Sequence, residues 1–272
     1  MKPHITNIST QKGKEIVEYI YHRNPEKFIL IQIGANDGWM CDRMYEFVNK
    51  YDPKAIMLEP IPCYFEVLKS NYKNNKNLIF EQLALDVESG EKTMHYIPEQ
   101  CFIDGEVSFR LEHTPWLIKE HWARGLGSFY EDKNNLGCPE LKKFSTTIDV
   151  KTTTWDELFK RHKITSEHNL VVQTDCEGHD YQLLKSFDFN KVEPLAYISE
   201  IYAAVRYPLS HPRYKPHPTH GRVEYKQEGG LYTVEDEIAA CEIFSNHGYA
   251  LFRENDLFAV KKDILKNENI IF

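Results

Sequence analysis

Residues 28–47 read FILIQIGANDGWMCDRMYEF. From Phe28 to Ile33 the run is apolar except for Gln32 and lacks the alternation of a half-buried strand, so it reads as a strand covered on both faces. It stops at Gly34-Ala35-Asn36-Asp37-Gly38, and a helical pattern follows over 39–50. A strand, a glycine-bearing turn and a helix in that order form the usual entrance to a nucleotide site in an open α/β sheet.

The same grammar repeats outward from this stretch. The N-terminal segment 1–27 carries an amphipathic helix over about 11–22, with Ile16, Val17, Ile20 and Tyr21 on one face. AIMLEP (55–60) is a second buried strand, residues 62–73 return to helical spacing, and NLIFEQLAL (77–85) reads as a third strand. GEKTMHYIP (90–98) alternates and follows Ser-Gly, as an antiparallel or edge strand does. TIDVKTTTWDELFKRH predicts a strand and then a helix capped by Thr154, with Glu157 three residues on completing a capping box. NLVVQTD (169–175) and LAYISEI (195–201) are further buried strands around a helix at 179–187. A helix over 233–247 runs from Thr233 to a stop at Gly248, and YALFRE and LFAVKK close the chain as a hairpin. Alternating strands and helices predict an α/β fold: a mostly parallel central sheet with helices on both faces, made mixed by the C-terminal hairpin. One domain over 1–272 is expected. Residues 99–145 and 202–230, poor in periodicity, read as insertions.

Composition narrows the class. The chain has 272 residues, 42% hydrophobic and 27% charged, as expected of a globular protein. A formal charge of -8 argues against general affinity for nucleic acid, which needs many phosphate-neutralising cations. Six cysteines form no C-x-x-C pair, and the N-terminus lacks the apolar core of a signal peptide. No apolar run reaches the ~18 residues that a membrane span needs. The expectation is a cytoplasmic protein with reduced thiols.

Ligands of open α/β sheets bind outside the carboxyl ends of the strands. There the sequence delivers the 34–38 turn, Glu59, Asp175 followed by Glu177 and His179, and Glu200. The turn is G-x-x-x-G rather than G-x-G-x-x-G. Asn36 stands where a dinucleotide turn uses glycine to approach a pyrophosphate. Glu59, 21 residues past Gly38, is placed to accept hydrogen bonds from both hydroxyls of a ribose. S-adenosylmethionine, with a ribose and an amino-acid tail but no phosphate, fits both features.

The segments IQIGANDG, MLEPIPCYFEVL, LALDVESGEKTMHYIP, VKTTTWDELF and TDCEGHDYQLLKSFDF…YISEI follow one another in an order and spacing that resemble the FkbM family of S-adenosylmethionine-dependent methyltransferases. The resemblance covers roughly 28–201. It implies a class I, Rossmann-like methyltransferase fold and O-methylation of sugars or other small hydroxyl-bearing metabolites, with surface polysaccharide biosynthesis as one setting. By position, Gly34, Ala35, Asn36, Asp37 and Gly38 match the family's cofactor turn, and Glu59 its ribose-binding acid. Leu83 and Ala84 match the stretch that flanks adenine. Asp175, Glu177 and Asp180 match its Asp-x-Glu-Gly-x-acid pattern, and Glu200 an acid on the next strand. Ser128 lies in a segment resembling a cofactor-proximal stretch. The insertions at 99–145 and 202–230 depart from the pattern and are expected to shape the acceptor pocket.

Methyl transfer to a hydroxyl needs alignment and a base. Asp175, His179 and Glu200 are the catalytic candidates. His179 titrates nearest neutrality and is either that base or a helix-start histidine facing water. Asp175 has the alternative of holding the cofactor's amino group, and Glu177 that of a structural acceptor near the next helix. Asp175 and Glu200 could hold Mg²⁺, which favours oxygen ligands. His211, His217 and His220 would suit zinc, and the same loop, with Arg206, Arg213, Lys215 and Arg222, could meet an anionic acceptor. Aromatics of WLIKEHWARGLGSFY (116–130) could stack on a sugar or on adenine. The expected partner is a small-molecule or carbohydrate acceptor, with no nucleic acid and no membrane span; a homo-oligomer stays open. Two competing readings are a non-catalytic binding protein retaining the fold and an NAD-dependent oxidoreductase, the latter disfavoured by Asn36.

Overall fold

A computed structural model describes residues 4–39, 42–103, 126–131, 139–201, 232–253 and 256–266. The strands are β1 (Ile5–Asn7), β2 (Phe28–Ile33), β3 (Ala55–Leu58), β4 (Leu78–Glu81), β5 (Ala84–Leu85), β6 (Gly90–Tyr96), β7 (Thr146–Thr153), β8 (Asn169–Thr174), β9 (Ala196–Ser199), β10 (Tyr249–Arg253) and β11 (Leu257–Lys261). Eight of them form one sheet in the order β1-β10-β11-β9-β8-β2-β3-β4. β11 runs antiparallel to both of its neighbours, and the remaining pairs are parallel. A separate three-stranded sheet has the order β5-β7-β6.

The helices are α1 (Thr10–Arg23), α2 (Tyr45–Tyr51), α3 (Pro62–Asn71), α4 (Glu99–Ile103), α5 (Trp155–His162), α6 (Asp180–Ser186), α7 (Val234–Asn246) and α8 (Lys262–Lys266). β2 explains why they cover both faces. Ile29, Ile31 and Ile33 pack with Leu158 of α5, Leu184 of α6 and Phe244 of α7. Phe28 and Leu30, one residue out of phase, pack with Ile16 of α1, Val48 of α2, Leu68 of α3 and Ile264 of α8. Period-two alternation therefore feeds two cores, and each such side chain contributes about 1.5–3 kcal/mol on burial.

Four differences from the sequence expectations have local causes. Residues 1–27 hold a strand as well as a helix, because Ile5–Asn7 adds in parallel to Leu251–Arg253 at the sheet's edge. Three residues are too few to show a period. The single strand expected over 77–85 is two: β4 stays beside β3, and β5 leaves for the small sheet beside β7. The helix expected from 39 begins at Tyr45, after a turn in which the Asp42 carboxylate takes the Met44 N–H at 2.8 Å. At α5, Thr154 caps the Glu157 N–H as expected, but the Glu157 carboxylate bonds the Ser89 and Thr153 hydroxyls instead of closing a box. The full box occurs at α7, between Thr233 and Asp236.

Candidate active site

β2 lies between β3 and β8, so the chain leaves it in one direction and returns on its other side, which opens a crevice at the carboxyl ends. The turn after β2 fills that crevice with backbone. Gly34, Asn36 and Gly38 all have positive φ, at 75°, 49° and 70°. Glycine adopts this region freely, and asparagine is among the few side chains that tolerate it. Gly34 has a second reason: a Cβ there would stand 2.0 Å from the Asp175 carbonyl oxygen. A Cβ on Gly38 would stand 2.5 Å from Leu68 and Tyr72, so this glycine lets α3 close on the turn.

Glu59 follows β3 and clamps the turn. Its Oε2 accepts the Asn36 N–H and its Oε1 the Ile61 N–H, each at 2.8 Å. It is buried, and burial pushes its carboxyl up to about 7 against the pull of those two donors, with the Asp37 charge adding to the rise. Each carboxylate oxygen keeps acceptor capacity beyond its one N–H partner.

Glu59 also lines a cavity of about 520 Å³, counted with its open mouth. Gly34, Asn36, Glu59 and Asp175 give it a polar side, while Leu83, Ala84, Met94 and Phe129 give it an apolar one. Leu83 and Ala84 reach it because the chain crosses there from one sheet to the other. The buried Oδ1 of Asn36 has no hydrogen-bond partner among the described residues, and a buried acceptor left so calls for a donor from a ligand or water. Ala35, Asp37 and Gly38 do not line the cavity. Ala35 is buried in the apolar core, and Asp37 takes the Trp39 N–H at 2.9 Å.

The other wall comes from the end of β8. Asp175 is exposed and lines the cavity. Glu177 and Gly178 both have positive φ, so the chain turns sharply there. Asp180 is fully buried, takes the Cys176 N–H and the Tyr232 hydroxyl (2.7 Å), and so holds the turn. The Cys176 thiol lines the cavity and is pushed up by burial, so it stays protonated. Asp175, Glu177 and Glu200 bring carboxylate oxygens within 4.8 Å of one another. Such acidic patches occur without an ion; of the three, Asp175 lines the cavity. The histidines and cations of 206–222 lie outside the described residues, as do residues 116–125.

His179 does not face water. It is 3% exposed, with Nε2 2.8 Å from Asp86 Oδ1 and Nδ1 3.2 Å from the Tyr130 hydroxyl. Phe129 meets its ring edge-on, with centroids 5.1 Å apart. Burial lowers its pKa, although Asp86 works to raise it. Both ring nitrogens are engaged, which corrects the alternative of a helix-start histidine facing water. Burial works to raise Asp86 as well, but the Lys92 ammonium at 2.7 Å, the Val87 N–H and His179 together hold it below the ordinary carboxyl value. Ser128 is fully buried and donates to the Glu177 carbonyl at 2.8 Å, joining the 126–131 strip to the β8 turn. Asp86 and Tyr130 carry no local sequence signal for a role; one follows a two-residue strand and the other sits in a segment without periodicity.

A glycine turn at the switch point of a mostly parallel sheet, with an acid one strand over, is the layout of α/β proteins that bind a ligand at their strand ends. Sequence comparison names the family: residues 32–224, more than half of the chain, match the methyltransferase FkbM domain, and the chain belongs to that family of methyltransferases. Neither curated proteins nor solved structures gave a match. Among the described residues no helix is long and apolar enough to cross a membrane.

Proposed function

We propose that this chain is an S-adenosylmethionine-dependent O-methyltransferase with a class I, Rossmann-like fold, acting on a hydroxyl of a sugar or other small metabolite. The observation that carries the reading is the cavity at the ends of β2, β3 and β8. Its polar rim holds Glu59 and the unpartnered Asn36 Oδ1, and its far side is apolar. A nucleoside matches that division: Glu59 accepts the ribose hydroxyls, and Leu83, Ala84 and Met94 enclose the base. Asn36 Oδ1 and Asp175 are left to take a cationic amino group. The strand order, with β11 antiparallel beside β9, agrees with the proposed fold. No glycine stands at 36 to admit a pyrophosphate.

Bound there, S-adenosylmethionine supplies an electrophilic methyl group. The chain's own contribution is to hold the donor by its ribose, exclude water with the apolar wall, and bring an acceptor oxygen into line. The 99–145 and 202–230 insertions are proposed to shape the acceptor pocket. Titration calorimetry with S-adenosylhomocysteine tests the donor half; heat of binding at micromolar affinity is expected, and none with NAD. Transfer of label from methyl-labelled S-adenosylmethionine to a panel of nucleotide-linked sugars and oligosaccharides, with and without EDTA, tests the acceptor half and the need for a metal. Binding without transfer to any of them would count against a sugar hydroxyl.

A further inference from the structure

Three chain segments that line the cavity also meet next to it. Leu85, Phe129 and Cys176 are lining residues; Asp86 and Tyr130 come directly after the first two, and His179 is three past the third. Their side chains form one line of hydrogen bonds, from the Asp86 carboxylate to His179 Nε2 and from His179 Nδ1 to the Tyr130 hydroxyl. The inner two groups are buried, whereas Tyr130 is 44% exposed. An ionised Asp86 fixes the imidazole proton on Nε2, which leaves the Nδ1 lone pair for the tyrosine proton.

We propose that Tyr130 meets the acceptor's hydroxyl and that His179 and Asp86 are positioning residues behind it, the three forming a proton relay. The assignment rests on the O-methylation reading above. As the acceptor oxygen forms its bond to the methyl carbon, the carbon–sulfur bond breaks and its electron pair stays on sulfur. The acceptor proton passes to the Tyr130 oxygen while the Tyr130 proton passes to His179 Nδ1. The imidazolium formed is balanced by Asp86, and the proton later returns through Tyr130 to water. Of the charged groups that face His179, Asp86 and Asp180 favour its imidazolium and Lys92 opposes it. Asp86 comes from the loop after β5, Asp180 from α6 and Tyr130 from the 126–131 strip; Lys92, on β6, holds Asp86 and lies 4.2 Å from the Phe129 ring centre. A merely structural staple would need no half-exposed residue at one end.

The test compares wild type with Tyr130→Phe, using labelled S-adenosylmethionine, the sugar panel, and calorimetry with S-adenosylhomocysteine. Expected are unchanged S-adenosylhomocysteine affinity, little change in acceptor KM, and kcat about 100-fold lower at pH 7.5. The variant's kcat should then climb about tenfold per pH unit as hydroxide replaces the relay, a response that loss of a staple would not produce. Equal kcat in the variant overturns the relay alone. Wild type that binds S-adenosylhomocysteine but methylates no sugar overturns the acceptor reading and the relay with it. Nitrogen-15 NMR of the wild-type histidine rings is independent of turnover and of how the variant folds. A proton on His179 Nε2 is expected, and a proton on Nδ1 in the neutral ring overturns the relay.

Discussion

The two walls of the cavity are built by different means. On the β2–β3 side, backbone does the work. Gly34 N–H and Ala35 N–H both go to the Leu58 carbonyl, at 3.0 and 2.9 Å, and Glu59 takes the next N–H of the turn. Two side chains reinforce that backbone: Glu59, and Asn71, whose amide donates to the Asp37 carbonyl at 2.7 Å. On the β8 side, the turn is held by side chains from elsewhere: Tyr232 on Asp180, Ser128 on the Glu177 carbonyl, and Tyr130 and Asp86 on His179. A backbone-built wall has one permitted shape. A wall built from side chains of separate segments can be rebuilt for another acceptor by changing those segments, with the sheet untouched.

The sharpest way to break this contrast is Gly34→Ala. The new Cβ meets the Asp175 carbonyl at a distance no packing tolerates, and φ of 75° is unfavourable for alanine as well. Neither atom can move without unpairing β2 from β8, so a loss of about 4 kcal/mol or more in urea unfolding is expected. Alanine at Gly34 with near-native stability would mean that the backbone wall is softer than described. Next in size is Glu59→Ala. It removes the acceptor for the Asn36 and Ile61 N–H groups and the proposed acceptor for two ribose hydroxyls, so S-adenosylhomocysteine affinity should fall about 100-fold or more. Affinity within threefold of wild type in calorimetry would remove Glu59 from the binding site.

The same contrast explains what the sequence revealed. The β2 turn is local: Gly34, Asn36 and Gly38 lie within five residues, and the positive φ each adopts is written in residue type. Glu59 was legible because it ends the adjacent buried strand. Most strands of the main sheet and its longer helices were legible from period, down to Thr233 and Gly248 at the ends of α7, while the three-residue β1 was not. The relay was not legible. Asp86 and His179 are 93 residues apart, Tyr130 and His179 are 49 apart, and no period or cap connects them. His179 stood out by its place beyond a strand end and by its pKa class, neither of which distinguishes a water-facing ring from one that is 3% exposed. The break of strand 77–85 was hidden for a related reason: LALD continues the apolar run, and only pairing with Thr152 and Thr153 draws Ala84 and Leu85 away.

A gentler probe of the backbone wall is pH. Glu59 is held up to about 7 in the folded chain against an ordinary 4.5. The folded state therefore binds more protons than the unfolded one between those values, and the Glu59 contribution to stability falls as pH rises through that window. In the proposed site ligand binding goes the other way, since the ionised carboxylate is the form that would accept both ribose hydroxyls. From pH 6 to pH 8 the ionised fraction rises from about a tenth to about nine-tenths, so S-adenosylhomocysteine affinity should rise about tenfold. Glu59→Gln should abolish that rise. A flat profile in wild type would show that the ligand does not read the charge of Glu59.

The smallest expected effect belongs to the other wall. Ser128→Ala deletes the bond to the Glu177 carbonyl and the one that Ser128 accepts from the Tyr130 N–H at 3.1 Å. The backbone pairing of Ser128 with His95 survives, with both N–H···O bonds intact at 2.9 and 2.8 Å, so the strip stays on β6. A loss of about 1 kcal/mol in folding stability is expected. S-adenosylhomocysteine affinity should stay within about twofold, because none of the deleted bonds touches Asn36 or Glu59. Methyl transfer should drop more than binding does, since Tyr130 then loses its backbone anchor to Ser128 and keeps its hydroxyl contact with His179. If instead affinity falls as far as turnover, the two walls are mechanically one, and the division between a fixed donor side and an adjustable acceptor side does not hold.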